Sequence, residues 1–364
     1  MRIPVILLLA AMLACPTGVY AAGRLFGNPV DYPTGVRPRA VVAADFNNDR
    51  ANDLAVINET SQSVSILIGR GDGTFGFGSD NGTGRGPVSI AVADFDGDGA
   101  VDIAVADKGS DTVSVLMGYG NGKFRGKWDF SVGKKPAFVI AADLDGDGRP
   151  DLATANSGDN TVSVLIGSGD GAFNLRQDYE VGKQPVSLAV ADFNSDRLPD
   201  IAVADYSGGS VSLLLNNTGG AFRQGGSFKT GSGPVSIAAA DFDGDRQPDV
   251  ATVGALTGKV TVLRGTPTGR FGDRQDYDAG RAPSAITATD LDRDGNLDIA
   301  VSNSGGGSVS VLLGMGNGMF QGPDEYYVGT SPSYVTAADL NGDGLLDLVV
   351  TNAQSNTVSV FISR

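Results

Sequence analysis

The 364-residue chain contains no histidine, and its one cysteine, Cys15, lies close to the N-terminus. Without histidine, Ser-His-Asp and Cys-His nucleophilic systems are excluded. Cys15 falls in a stretch that reads as a removable leader, so the mature chain is expected to have no thiol and no disulfide. Long apolar runs are also missing: beyond the leader nothing approaches the roughly 20 residues of a spanning helix. Basic residues are in deficit, 27 Lys and Arg against 42 Asp and Glu, for a formal net charge of −15. That balance argues against nucleic acid, whose phosphates reward clustered cations. Tryptophan occurs once, at Trp128, and few aromatics lie outside repeated positions, which counts against a series of sugar-stacking pockets.

The leader has Arg2 as its positive end, Ile3 to Ala14 as its apolar stretch and Val19-Tyr20-Ala21 as its small-residue cleavage site. Residues 1–21 are therefore expected to be a signal peptide and 22–364 a single domain, extracellular or periplasmic. Met12-Leu13-Ala14 is a poor lipobox and Pro16 follows directly, which leaves a lipid anchor on Cys15 as the minor alternative.

What the chain has in excess is glycine, 53 residues, and aspartate in a fixed pattern. The motif D-x-[DN]-x-D-x-x-x-D starts at residues 45, 94, 143, 192, 241, 290 and 339, a step of 49 (94 − 45) each time. Its oxygen-bearing members are Asp45, Asn47, Asp49 and Asp53 in the first copy, then Asp94, Asp96, Asp98 and Asp102. The third and fourth copies have Asp143, Asp145, Asp147, Asp151 and Asp192, Asn194, Asp196, Asp200. The fifth and sixth have Asp241, Asp243, Asp245, Asp249 and Asp290, Asp292, Asp294, Asp298, and the seventh Asp339, Asn341, Asp343, Asp347. These loops hold more than half of the 42 acids, so the negative charge reads as a metal requirement rather than as the mark of a basic partner.

Each copy follows one plan. A Phe opens it (26, 75, 124, 173, 222, 271, 320), an aromatic usually follows some six residues later, and a Gly precedes a Pro by three. Apolar runs flank the acidic loop, and a third run alternates, as in Thr112-Val113-Ser114-Val115-Leu116, which predicts one apolar and one polar face. The third run leaves through turns such as Asp72-Gly73, Asn121-Gly122, Asp170-Gly171 and Asn317-Gly318, which read as two-residue hairpins. Four short antiparallel strands in each of seven copies describe an all-β, seven-bladed β-propeller, which hides its sheet edges by radial packing. A linear solenoid is the alternative, but it needs atypical capping repeats and none is visible. The chain opens with a spare Phe-to-Gly strand, Phe26 to Gly35, and the last copy stops after its third strand. Ring closure by the N-terminal strand follows.

This pattern resembles the FG-GAP and VCBS-type repeats, the blades of integrin α-subunit propellers and of many secreted bacterial proteins. Phe26-Gly27, Phe75-Gly76 and Phe271-Gly272 keep the Phe-Gly pair, whereas the family's Gly-Ala-Pro is replaced by sequences such as Ala106-Asp107-Lys108 and Ala155-Asn156-Ser157. The resemblance implies calcium in the loops and an adhesion or protein-interaction role.

The residues support calcium independently. Positions 1, 3, 5 and 9 of the loop supply only oxygen, and calcium accepts 6–8 oxygens in flexible geometry where magnesium demands a near-octahedral shell. Up to seven ions are expected. Position 6 is Gly99, Gly148, Gly295 and Gly344 in copies 2, 3, 6 and 7, and Arg50, Arg197 and Arg246 in copies 1, 4 and 5, so the glycine copies are expected to bind more tightly.

A second candidate site lies at the turn between one copy's outer strand and the next copy's inner strand. That region carries Arg37, Arg85, Lys134, Lys135, Lys183 and Arg281, with Arg39 just after. Alternating strand direction puts these cations on the face opposite the acidic loops, where they are expected to ring the central channel, with Phe138 and Tyr334 at its border. Such a ring suits an anionic group on a glycan or protein. Arg70-Gly71-Asp72 falls in a hairpin turn and reads as turn chemistry. Asn58, Asn81 and Asn216 stand in glycosylation-acceptor triplets, which matter only in a eukaryotic source. The sequence thus reads as a secreted, non-catalytic, monomeric calcium-binding module for an extracellular protein or a glycan. A lectin is the alternative, and a polysaccharide-active enzyme a more distant one.

Overall fold

The computed structural model describes residues 24–364, so the expected leader, with Cys15, lies outside the described residues. Twenty-eight strands form seven four-stranded antiparallel sheets, each taking its strands in chain order except the last. Blade 2 is typical: Pro87–Ala93 lines the channel, and Asp102–Asp107, Thr112–Gly118 and Phe124–Ser131 follow outward. Blade 7 has Pro332–Ala338, Asp347–Asn352 and Thr357–Phe361, and receives Val30–Pro33 as its fourth strand. There the register pairs Val30 with Val360 and Tyr32 with Val358, and Phe26 bridges Ser363. The ring is closed as the spare N-terminal strand predicts. No described helix is long and apolar enough to cross a membrane.

The second strands are buried at every position, as Asp102–Asp107 and Asp151–Asn156 illustrate. Near-continuous apolar sequence is what a strand covered on both faces requires. The core is a series of wedges between blades rather than one central mass: Ile57 and Val64 of blade 1 pack with Ile103 and Val105 of blade 2. The opening Phe of each copy belongs to such a wedge. Phe173 of blade 3 meets Phe95 and Phe130 of blade 2 edge-on, at 5.5 and 5.0 Å, and Phe271 meets Phe193 and Phe228 in the same way. Each such pair adds about 0.5–1.5 kcal/mol beyond its burial.

One local expectation is refined and one corrected. The third strand keeps its polar face, but Ser114, Ser163 and Ser359 hold it buried within the ring. They serve as rungs: Asn156 Nδ2 donates to Ser163 Oγ at 2.8 Å, and Ser163 Oγ donates to Asp178 at 2.6 Å. The third-to-fourth connections are also wider than two residues in most blades. Arg70 N–H donates to Thr74 C=O around a five-residue turn, and only blade 4 joins its strands through two residues, Gly219-Gly220.

Candidate functional site

The acidic loops follow the first strands and lie at one end of the ring. In blade 2 the carboxylate of Asp94 accepts the amides of Gly97, Asp98 and Gly99, at 2.7, 3.1 and 2.9 Å. Turning three successive amides inward requires left-handed backbone at positions 4 and 6. Position 6 accordingly has φ of +72° at Arg50 and Arg197 and +69° at Arg246, against +85° at Gly99 and Gly148. The three arginines hold the turn at a steric cost that glycine avoids.

The ninth-position aspartates are fully buried latches. Asp102 accepts Phe95 N–H at 2.8 Å with one oxygen and Gly118 N–H at 2.7 Å with the other, tying the loop to the end of the third strand. The same pair of bonds recurs on Asp53, Asp151, Asp200, Asp249, Asp298 and Asp347. Burial pushes Asp102, Asp151, Asp200, Asp249 and Asp298 up to about 6.

The remaining oxygens converge unequally. Ligand atoms lie within 4.8 Å of one another in Asp94–Asp96–Asp102, Asp143–Asp145–Asp151, Asp241–Asp243–Asp249 and Asp290–Asp292–Asp294. These are the blades with Asp at position 3; blades 1, 4 and 7 have Asn47, Asn194 and Asn341 there. The donor set fits a hard cation. In blade 6 the fit is sharper, because Asp290 Oδ1 is buried without a hydrogen-bond partner. In blade 2 Arg125 reaches over the loop to Asp96 and Asp98, at 3.1 and 3.0 Å, and places a competing cation there.

The loops also join the blades. Gly122 N–H of blade 2 donates to Phe46 C=O in the blade 1 loop at 2.8 Å, and Gly171 N–H of blade 3 to Phe95 C=O at 2.9 Å. Gly73 N–H of blade 1 reaches Leu340 C=O of blade 7 at 3.2 Å. In blade 4 the side chain of Asn216 makes the equivalent bond, to Leu144 C=O at 2.7 Å.

At the opposite end the channel opens into a cavity of about 300 Å³. Of the residues expected at that mouth, Arg39, Phe138 and Tyr334 line the cavity. Arg85, Lys134, Lys135, Lys183 and Arg281 are exposed in their turns but are not among its lining, and Arg37 borders a neighbouring crevice with Arg39. The cavity has instead Lys108, which the sequence reading missed. Its signal was the residue after the Asn or Asp that ends the second strand in six of the seven blades. Asp72 of the Arg-Gly-Asp triplet accepts both Thr74 N–H and Thr74 Oγ–H, as a turn-forming Asp does. Asn58 and Asn216 are buried, which removes them as glycosylation acceptors in the folded ring.

The family profile described as "FG-GAP-like repeat" matches residues 45–105, 94–154, 143–203, 192–252 and 290–350. The chain belongs to the FG-GAP-like repeat family. Among solved structures, this FG-GAP repeat protein is similar to BBS1N, determined in complex with ARL6DN, at 16% identity, over 93% of this chain and 97% of that one, with a TM-score of 0.67. It is similar to virginiamycin B lyase from Staphylococcus aureus, determined with quinupristin, at 12% identity, 92% and 99% coverage and a TM-score of 0.61. A lectin from Agrocybe aegerita that recognises non-reducing terminal N-acetylglucosamine gives 17% identity, 87% and 86% coverage and a TM-score of 0.56. At these identities the likeness shows the fold alone. No curated protein matches the chain.

Proposed function

We propose that this FG-GAP repeat propeller is an exported, calcium-stabilised, non-catalytic module that binds an extracellular protein. The observation that carries the structural role of the metal is the position of the loops. Five of the seven loops present this carbonyl to the next blade, as Phe46 does to Gly122, so an ion that fixes such a loop also fixes the joint between blades. Positions 1 and 3 would hold the ion, joined by the ninth Asp in blades 2, 3 and 5 and by the fifth in blade 6. Blades 2, 3 and 6 combine Asp at position 3 with Gly at position 6 and are the strongest expected sites. Calcium there supplies charge compensation for converging carboxylates.

A binding role rather than a catalytic one is supported by the occupation of the acids. The ninth aspartates spend both oxygens on backbone amides, and the chain has no histidine to pair with a nucleophile. A glycan ligand is the second reading, favoured by the aromatic side chains of Phe138 and Tyr334 at the mouth. A glycan array and a purified-partner screen, each run with calcium and with chelator, test the assignment. Specific glycan hits with no protein partner would replace the first reading with the second.

A further inference from the structure

The mouth of the channel has two unlike halves, and the difference arises at one position of each copy. Every first strand carries a β-bulge directly after its proline, seen as the register break between Pro87 and Ser89 or between Pro185 and Ser187. A bulge re-aims the residue it skips, and here the skipped residues line the mouth. In blades 2 to 5 they are Val88, Ala137, Val186 and Val235; in blades 6, 7 and 1 they are Ser284, Ser333 and Arg39. One arc is therefore apolar and the other polar.

The hydrogen-bond donors collect in three adjacent blades. Arg39 of blade 1 and Arg37 share one carboxylate, that of Glu59, so two guanidiniums and one acid leave an excess positive charge. Lys108 of blade 2 is exposed on the cavity wall and makes no ion pair among the described residues. Tyr334 of blade 7 lines the same cavity, and its hydroxyl has no hydrogen-bond partner among the described residues. Burial raises the Tyr334 phenol above its ordinary value, which keeps it a neutral donor. The serines are already engaged: Ser333 Oγ donates to Pro38 C=O and Ser284 Oγ to Pro332 C=O, both at 2.9 Å, so they join blades.

We infer that the channel mouth binds a carboxylate carried on a compact apolar body, the carboxylate meeting Arg39, Lys108 and Tyr334 and the body lying against Val88, Val186 and Val235. A single carboxylate matches the small positive excess, whereas a phosphate dianion calls for a cluster of unshared arginines. A cavity of about 300 Å³ holds one residue-sized group, not an extended chain. The same chemistry is presented by a free small carboxylate and by the last residue of a polypeptide that ends in an apolar side chain. The inference rests on the reading of the propeller as a binding module and names the group it would recognise.

The test is calorimetric titration of the calcium-loaded protein with N-acetyl-phenylalanine and with its uncharged amide. A decapeptide ending in phenylalanine follows, as the free acid and amidated. The acid is expected to bind about tenfold or more tightly than the amide, since charge-assisted hydrogen bonds are lost in the latter. Lys108→Gln and Arg39→Gln should each weaken the acid about fivefold or more, and Tyr334→Phe by less. Val186→Asp should abolish binding. Lys108 is exposed, so K108Q should keep the wild-type melting temperature. Equal affinity for acid and amide, no binding of either at millimolar concentration, or unchanged affinity in both K108Q and R39Q would overturn the inference. If the free-acid peptide binds, a polypeptide terminus is the source; if only N-acetyl-phenylalanine binds, the mouth is a small-molecule site and takes no part in protein interaction. A purified protein partner that binds wild type and K108Q alike leaves that reading standing and removes the mouth from it.

Discussion

The two ends of the ring are built on opposite principles. At the loop end all seven copies place the same two backbone amides on the ninth aspartate. At the mouth end the same copies present Arg39, Val88, Ala137, Val186, Val235, Ser284 and Ser333 at one equivalent position. Uniformity is what joints between identical wedges require, because each blade must fit the next in the same way. Variation is what a site with a polar and an apolar side requires. In a repeat protein, then, the position at which copies disagree is the better pointer to recognition.

The buried acids sharpen that contrast. At the loop end Asp102 is satisfied on both oxygens. At the mouth end of the same strand, Asp107 has one buried oxygen with no partner, and its other oxygen meets Ser114 Oγ, which also faces Asp129 at 2.7 Å. One hydroxyl proton cannot serve two carboxylates. Asn156 shows how blade 3 avoids the problem, since its amide donates to Ser163 and leaves the hydroxyl proton for Asp178. Asp107 can imitate Asn156 only when protonated, and burial pushes it up to about 6.

The comparison of ends presupposes a closed ring, and breaking the closure should have the largest effect. A chain lacking residues 22–36 loses the fourth strand of blade 7 together with the bonds of Gly27 and Leu25 to the C-terminal strand. It should show no cooperative melt above about 40 °C, below the usual range for mesophilic domains; a calorimetric trace like that of wild type would refute closure as the main staple. Next comes metal. At about 100 times the dissociation constant one bound ion contributes about 2.7 kcal/mol, so removing calcium with chelator should lower the melting temperature by several degrees or more. An unchanged melt would reduce the loops to hydrogen-bonded turns.

The two ends of one strand can then be set against each other. Asp102→Asn should destabilise at pH 7, by about 1–3 kcal/mol, because an amide group faces a backbone N–H it cannot satisfy. The difference should shrink below pH ~4, where the protonated acid has the same defect. Asp107→Asn should do the reverse. Its folded value lies above the unfolded one, near 3.9. Stability tied to the protonated group is therefore complete below pH ~4 and lost as pH rises towards ~6. The substitution removes that loss, so the variant should be more stable than wild type at pH 7 by up to about 3 kcal/mol, with the advantage gone near pH 4. Parallel melts across that window decide it, and an advantage independent of pH would contradict the assignment. Smallest of all, Arg197→Gly should relieve the left-handed backbone at position 6 and stabilise the ring by about 1 kcal/mol, read from denaturant midpoints.

Much of this was legible in the sequence, and for a physical reason. A fixed period, the opening Phe and the spare terminal strand each follow from packing identical wedges in a ring, so pattern alone fixes strands, blade number and closure. The loop oxygens were equally plain. Less legible was the interior polarity: Ser114 and Ser163 alternate with valines as a solvent face would, yet they stand within a sheet covered on both sides. The mouth was legible only in part. Charge in the turns pointed to Lys134, Lys135 and Arg281, but the bulge after each proline decides which side chain reaches the cavity, and no local composition marks it. Lys108 was missed because its turn comes from a different pair of strands.

The seam in blade 7 has a kinetic meaning. Phe26 pairs with Ser363, so the last blade waits until almost the whole chain is available. Closing a loop of that length costs about 5 kcal/mol in chain entropy before any contact is returned. Blades 1 to 6 can dock in order during synthesis, while the seventh remains a three-stranded sheet with an open edge. A circular permutant cut in the Gly219-Gly220 turn would move the seam to blade 4 and turn the present one into an ordinary hairpin. Its folding rate would report how far assembly is governed by where the chain happens to be opened.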